Sequence, residues 1–443
     1  MFASHIDLRQ EREPLWMLLL VYGAWRATLD LCYVYLMYPV YDYIGFAYQP
    51  DTWQLAESIA WQILLVSLTP RDTRTPSTFF SHIFLSMVLT PILSYFAWSG
   101  VPREGFYILM LGALTLLAAM RAMPPLVIGV SVRNGHSLAM NVCLALVAVA
   151  VLSLVARGGL ANLNFDLTRV YEFREEGGDG LYQGAWAYLY SWAGGSVTMT
   201  LLAYALSTRR RLLALGALAA QVFLFATTSN KIFLFLPVVV IGVFVVLKTR
   251  RPVFTFNLLL TLAFATISVL LVSLELAFVA DLIIRRTMFT PAFLTFTYMD
   301  FFSQHDFIYR SNSLLSLASE YPYDTRSTGL VIGNYLGTPQ DNAVTGYLGS
   351  AYMHWGAIGV GVASVALAGI LRFLDGCRTR GLTAVFVITM SIAGVRTVMA
   401  EADLVTGVIS HGLGVTLFVL ALFAADSKLD AATTGAPAQG TPA

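Results

Sequence analysis

The run VFTFNLLLTLAFATISVLLVSLEL, residues 253–276, decides what kind of chain this is. A helix crossing a bilayer needs about 20 predominantly apolar residues, and this run supplies them without a break. Beyond it the pattern changes. From Asp281 to Gly361 a long polar segment follows, opening with Arg285 and Arg286, passing aromatic and polar residues to Arg310 and Arg326, and ending in DNAVTGYLGSAYMHWGAIGVG. That segment is where the sequence leads us to expect chemistry.

Working outward, apolar windows of similar size recur near 14–37, 53–69, 78–98, 105–122, 137–156, 185–207, 212–228 and 231–247 before this run. After it they recur near 346–371, 382–399 and 403–424. The expectation is an all-α, polytopic integral membrane protein of about 12 transmembrane helices. Composition agrees, since only 12% of residues are charged against roughly 25% in soluble domains. The first apolar run contains Arg26 and Asp30 and lacks a small-residue cleavage site, so it reads as a retained helix. Cys32, Cys143 and Cys377 offer neither a disulfide framework nor metal-ligand spacing. A net charge of +1 gives no reason to expect nucleic acid.

With that many spans both termini share one face. Arg9, Arg12, Arg71, Arg74, Arg121, Arg133, Arg209 to Arg211, Lys248, Arg250, Arg251, Arg372, Arg378, Arg380 and Lys428 fall on it, which makes it cytoplasmic by the positive-inside rule. One transmembrane domain, residues 1–428, is expected, with a disordered cytoplasmic tail at 429–443 rich in Ala, Thr, Gly and Pro. The polar break at Ser229, Asn230 and Lys231 reads as a tight hairpin, because that keeps Lys248 to Arg251 and Arg378 to Arg380 on the cytoplasmic side.

Two larger outer loops, about 157–184 and 277–345, then carry Arg157, Arg169, Arg174, Arg285, Arg286, Arg310 and Arg326 against the charge bias. Long loops cross regardless of charge, but arginines kept on the disfavoured side suggest an anionic ligand. In the first loop, Arg169, Tyr171, Glu172 and Arg174 mix forked cations, a carboxylate and an aromatic. Arginine forks onto phosphate oxygens and tyrosine stacks on a sugar face, although such a loop is also served by its own ion pairs.

In the second loop, Arg285 and Arg286 lie about 100° apart around a helix, so both cannot comfortably snorkel to headgroups. Drawing one toward the bilayer centre costs about 2.5 to 3.5 kcal/mol, and Arg286 is preferred as the inward one. His305 sits among the carboxylates Asp300 and Asp306 and is a candidate for chemistry, although a lone histidine more often serves structure, and Arg310, Asp341 and Asn342 follow in the same segment. Arg26 and Asp30, spaced i, i+4, are expected to neutralise each other. His354, Arg396, Glu401, Asp403 and His411 fall in the last three spans or at their outer ends, where Arg396 and Glu401 either line an outer cavity or pair. No HExxH or other metal-binding spacing is present.

The run NAVTGYLGSAYMHWGAIGVG is similar to the pattern of the Wzy-type O-antigen polymerases, oligosaccharide repeat-unit polymerases related to the O-antigen ligases: Asn, Thr-Gly, a small and aromatic stretch, then Gly-x-x-Gly opening a span. YEFREE at Tyr171 to Glu176 resembles the arginine-bearing outer loop of such polymerases, and TSNKIFLFLPVVV the span before their large loop. The related ligases carry His-Asn where this chain has Asp341-Asn342.

The resemblance implies an inverting, metal-independent glycosyltransferase of GT-C type in the bacterial inner membrane, with its site facing the periplasm and needing no cofactor. It would transfer a glycan from undecaprenyl pyrophosphate to a lipid-linked repeat unit, among membrane lipids and beside a flippase and a chain-length regulator. Arg169, Tyr171, Arg174, Arg285, Arg286, Arg310, Asn342 and Arg396 would hold the lipid pyrophosphate and its sugars. The general base would be Asp341, His305 or Glu172. The alternatives are an O-antigen ligase acting on lipid A and a lipid-linked sugar transporter or flippase.

Overall fold

A computed structural model of the chain describes residues 11–166, 184–274, 280–312, 320–325 and 327–426. Arg9, Arg169, Tyr171, Glu172, Arg174, Arg326, Lys428 and the tail at 429–443 lie outside the described residues. Among the described residues there is no strand, only an isolated bridge between Val132 and Asp426.

The helices run in order as α1 (Leu15–Ile44), α2 (Thr52–Leu68), α3 (Pro76–Ser99), α4 (Arg103–Ala122), α5 (Gly135–Ala156), α6 (185–208), α7 (Arg211–Thr228), α8 (Lys231–Val246) and α9 (Pro252–Leu274). They continue with α10 (280–304), α11 (Thr328–Tyr335), α12 (Tyr347–Thr379), α13 (Ala384–Ala400), α14 (Leu404–Ile409) and α15 (Leu413–Ala424). Seven of them, α1, α3, α4, α5, α7, α9 and α12, are long and apolar enough to cross a membrane, and α8, α13 and α15 are shorter apolar helices. The apolar windows near 53–69 and 185–207 correspond to α2 and α6.

Burial sorts the helices into layers. The apolar window of α3 is 94% buried and that of α9 only 17%, so α3 is the centre of the bundle and α9 shows its apolar side chains outward. An all-round apolar helix with an exposed face is what a hydrocarbon environment permits. Three helices carry one-turn π segments, Tyr33–Met37, Leu85–Leu89 and Ala193–Val197, which leave backbone carbonyls without their usual donors. In α6 the Gly194 carbonyl accepts instead from Gln221 Nε2 at 2.8 Å, while Thr198 Oγ1 donates to Gln221 Oε1 at 2.6 Å. A buried glutamine from α7 therefore satisfies the irregular turn of its neighbour.

The polar break after α7 is a hairpin. Ser229 takes the left-handed φ of +51°, and Asn230 caps α8 by accepting from Ile232 N–H. Arg26 and Asp30 form the expected pair at 2.7 Å, extended by Ser58 and Ser94 at 2.9 and 2.6 Å. All three cysteines are buried free thiols.

Contacts between connecting segments define two ends of the bundle. At the first end, Glu13 accepts from Val253 and Phe254 N–H, capping α9 from a distant segment. Asp375 accepts from Ser77 N–H, Arg372 donates to the Met123 carbonyl, and Asp426 accepts from His136 N–H. At the second end, Gln49 N–H meets the Trp98 carbonyl, Arg103 bridges Asp51 and Glu57, Asn164 N–H meets Ala226, and Trp192 donates to the Ile409 carbonyl. A small aromatic and aliphatic core of Phe301, Phe302, Ile308, Ile332 and Met353 ties α10, α11 and the start of α12 together there.

Candidate functional site

The run that ends the long polar segment does not form one straight helix. Within α12, Trp355 has φ −147° and ψ 27°, and Gly356 has φ +59° and ψ −140°. Leu348 and Val360 both reach Gly112 of α4, although a straight helix would hold them about 18 Å apart at 1.5 Å per residue. A Cβ on Gly359 would also overlap the Ala351 carbonyl. The chain is thus a helical hairpin, with a short limb at 347–354, a reversal at Trp355 and Gly356, and a long limb at 357–379. At about 34 Å the long limb alone suffices to cross a bilayer. The Gly-x-x-Gly pair accordingly serves the reversal, and the crossing begins one limb later than the apolar window near 346–371 suggests.

The reversal frees backbone groups, and the segment before α11 takes them up. Ile308 N–H donates to the Met353 carbonyl at 3.0 Å, and Arg310 N–H donates to His354 Nδ1 at 3.2 Å. Tyr309 and Arg310 both hold positive φ, +44° and +66°, an uncommon pairing for residues with side chains. The turn directs the Arg310 guanidinium into the second end of the bundle, where the residue is 9% exposed. There Nη1 meets Asp403 Oδ2 at 2.6 Å, and the guanidinium carbon lies 5.7 Å from the centre of the Trp355 ring.

Asp403 is placed by the connection between α13 and α14. Its Oδ2 also accepts from Val405 and Thr406 N–H at 2.9 and 3.3 Å, the arrangement of a helix N-cap. Its Oδ1 faces His354 Nε2 at 3.6 Å, an electrostatic contact longer than a hydrogen bond. Because His354 Nδ1 accepts from a backbone N–H, the ring proton is assigned to Nε2, toward the carboxylate. Burial works against ionisation of Asp403, and the facing imidazole and guanidinium outweigh it, lowering the carboxyl to about 2. Nearby, Arg396 and Glu401 form a two-pronged pair at 2.8 and 2.9 Å, which chooses the ion-pair reading over an open cavity lining.

The other candidates occupy the same end in more exposed settings. Asp341 and Asn342 form an exposed turn after α11, with Asp341 N–H on the Thr338 carbonyl at 2.9 Å and Asn342 Oδ1 accepting from Ser327 Oγ at 3.1 Å. His305 is exposed, lies flat on the Phe301 ring at 4.0 Å, and has Nδ1 2.8 Å from the Phe301 carbonyl. Donation from Nδ1 leaves Nε2 as the basic nitrogen. Arg285 lies 4.9 Å over the Tyr41 ring, and Arg286 is exposed on the π-helical first part of α10.

Of the sequence candidates, then, Arg310 joins a buried cluster. Asp341, Asn342 and His305 are exposed around the ends of α10 and α11, Arg285 sits over the Tyr41 ring near the end of α1, and Arg286 is exposed beside it in the chain. Asp403, His354 and Trp355 are the partners that sequence reasoning did not assign to Arg310. Asp followed by the apolar run LVTGVI was a readable N-cap signal for Asp403. Among the described residues no three His, Cys, Asp or Glu side chains gather to hold a metal ion. The chain matches no protein-family model, no curated protein and no solved structure.

Proposed function

We propose that this protein is a glycosyltransferase of the O-antigen polymerase kind, a twelve-pass, GT-C-like protein of the bacterial inner membrane acting on the periplasmic face. The observation that carries the reading is the meeting of Arg310, His354, Trp355 and Asp403 at the tip of the α12 hairpin, which is built from the run that resembles those polymerases. The contacts at the two ends of the bundle support twelve alternating passes, since each joins segments expected on the same side of the membrane.

In this reading the arginines of the second end receive a lipid pyrophosphate leaving group. Each charge-assisted hydrogen bond to it contributes about 1.5 to 3 kcal/mol and strengthens as negative charge develops. The acceptor hydroxyl gives its proton to Asp341 or to His305 Nε2, its oxygen bonds to the anomeric carbon of the donor glycan, and the bond from that carbon to the pyrophosphate breaks. Undecaprenyl pyrophosphate leaves. Trp355 gives a sugar ring a flat apolar face, and Arg310 and Asp403 hold that indole in place.

Reconstitution of the full chain in vesicles with synthetic lipid-linked repeat units, and no other protein, tests this. A ladder of lengthening glycans is the expected product. Translocation without lengthening overturns the reading in favour of a transporter, and transfer only when lipid A core is supplied overturns it in favour of a ligase.

A further inference from the structure

The turns that join α6 to α7 and α8 to α9 gather cations at one part of the first end, Arg209, Arg210 and Arg211 from one and Lys248, Arg250 and Arg251 from the other. Helices α6, α7 and α8 pack on one another, so the two turns lie side by side. Basic residues are expected on this face, and several are settled by a carboxylate. Arg74 is held by Asp72 at 2.8 Å, Arg372 by Asp375 at 2.6 Å, and Arg251 reaches Glu11 at 3.7 Å. Among the described residues, Arg209, Arg210, Arg211, Lys248 and Arg250 have no carboxylate within ion-pair distance.

Nothing nearby relieves that charge. Helix α7 begins at Arg211 with no acidic residue in its first turn, so three arginines stand where the helix macrodipole is already positive. Burial and the neighbouring Arg209 hold the Lys248 ammonium below the ordinary lysine range.

The geometry turns these cations toward the membrane. Lys248 Nζ lies 3.8 Å from the centre of the Phe244 ring, one turn back along α8, and the Arg210 guanidinium carbon lies 5.5 Å from the centre of the Tyr204 ring within α6. Both side chains lean back along the spans instead of reaching out to water. Beside them the bundle shows hydrocarbon outward, with Leu212 and Leu215 on α7 exposed by 86 and 62% and Val245 on α8 by 56%. Unneutralised cations at the rim of an outward apolar surface are complementary to a phosphate that carries acyl chains, whereas a free phosphate would use the cations alone.

We infer that these two turns seat the phosphodiester headgroup of an anionic phospholipid between Arg209 and Lys248, flanked by Arg211 and Arg250, with its acyl chains along α7 and α8. The site lies at the end opposite Arg310 and Asp403 and does not depend on the polymerase reading. Because such a lipid binds the folded chain, it stabilises that chain by mass action.

Native mass spectrometry of the full chain, stripped of lipid in detergent and titrated with phosphatidylglycerol or phosphatidylethanolamine of matched acyl chains, tests this. Phosphatidylglycerol should be retained in preference and should raise the melting temperature more. Arg209→Asn combined with Lys248→Gln should weaken phosphatidylglycerol binding at least about tenfold, the loss of two charge contacts. Asparagine accepts the φ of +59° that Arg209 holds, so the turn is kept. Arg211→Gln with Arg250→Gln should weaken binding about fivefold and serves should the first variant fail to fold. Arg74→Gln, which removes a cation already paired with Asp72 at the same end, should leave binding unchanged.

Equal retention of the two lipids, or an equal loss in Arg74→Gln, overturns the assignment and makes the attraction a diffuse one. Displacement of phosphatidylglycerol by inorganic phosphate at constant ionic strength overturns the lipid source and makes this a seat for a soluble phosphate.

Discussion

Arg310 and Asp403 meet at 2.6 Å with both side chains only 10% exposed, joining a segment that precedes α11 to the cap of α14. Removing one partner from such a pair strands a buried charge, at a cost of about 3 to 5 kcal/mol. Asp403→Ala should therefore lower thermal stability strongly, and Asp403→Asn less, since an amide oxygen still accepts from Val405 and Thr406 N–H. The double variant Arg310→Met with Asp403→Leu should recover much of the loss. Additive losses across this cycle, followed by thermal unfolding in detergent, would refute the coupling.

His354 presents an acceptor to the Arg310 backbone, and no other side-chain type of its size does so with a ring. His354→Phe leaves that N–H without its partner and should cost about 1 to 3 kcal/mol. His354→Asn, whose Oδ1 can stand where Nδ1 stands, should restore part of it. Equal losses in the two variants would count against the Nδ1 contact as the reason for the histidine.

The α12 reversal depends on two glycines for different reasons. Gly356 holds φ +59° and ψ −140°, a conformation that strains any side chain, and Gly359 approaches the Ala351 carbonyl too closely for a Cβ. Gly356→Ala and Gly359→Ala should each destabilise by about 1 to 3 kcal/mol, whereas Gly369→Ala, which has open space around it, should be neutral or mildly stabilising. Melting curves of the three variants check the ordering.

Glu13 is buried at the first end, and burial pushes its carboxyl up to about 7 against the pull of the Val253 and Phe254 N–H groups and Arg251. A carboxyl raised in the folded state from 4.5 contributes stability that is fully present below about pH 4.5 and is lost as pH rises through 7. The span corresponds to about 3 kcal/mol. Stability should fall between about pH 4.5 and 7 and level off above that, and Glu13→Gln should flatten that slope. An unchanged slope in the variant would assign the dependence to another group.

If Asp341 or His305 is the base, its removal should reduce turnover about 10²- to 10⁴-fold while donor binding is retained. Asp341→Asn and His305→Asn, compared by rate of polymer growth under saturating donor, should single out one residue. Near-normal rates in both would exclude the pair.

Much of the architecture was legible because it rests on local composition. The hairpin at Ser229 and Asn230 followed from where the arginines had to lie, and the Arg26 and Asp30 pair from an i, i+4 spacing. The reversal in α12 was not legible, because hydropathy averages over a window and gives a folded-back apolar run the same score as a straight one. The joining of Arg310 to Asp403 was hidden for another reason. The two are 93 residues apart, and only the docking of residues 308–310 on the Met353 carbonyl and the His354 ring at the tip brings them together. Charge bias marked Arg310 as anomalous, and the buried carboxylate opposite it needed three dimensions to find.

The folded-back path of α12 also bears on how the chain's sidedness would be mapped. A segment that enters partway and returns contributes apolar length without changing compartment. Reporter fusions placed before Tyr347 and at Gly356 should accordingly give the same signal, although one uninterrupted apolar run includes the short limb between them. Only a fusion beyond the long limb, past Thr379, should change sign.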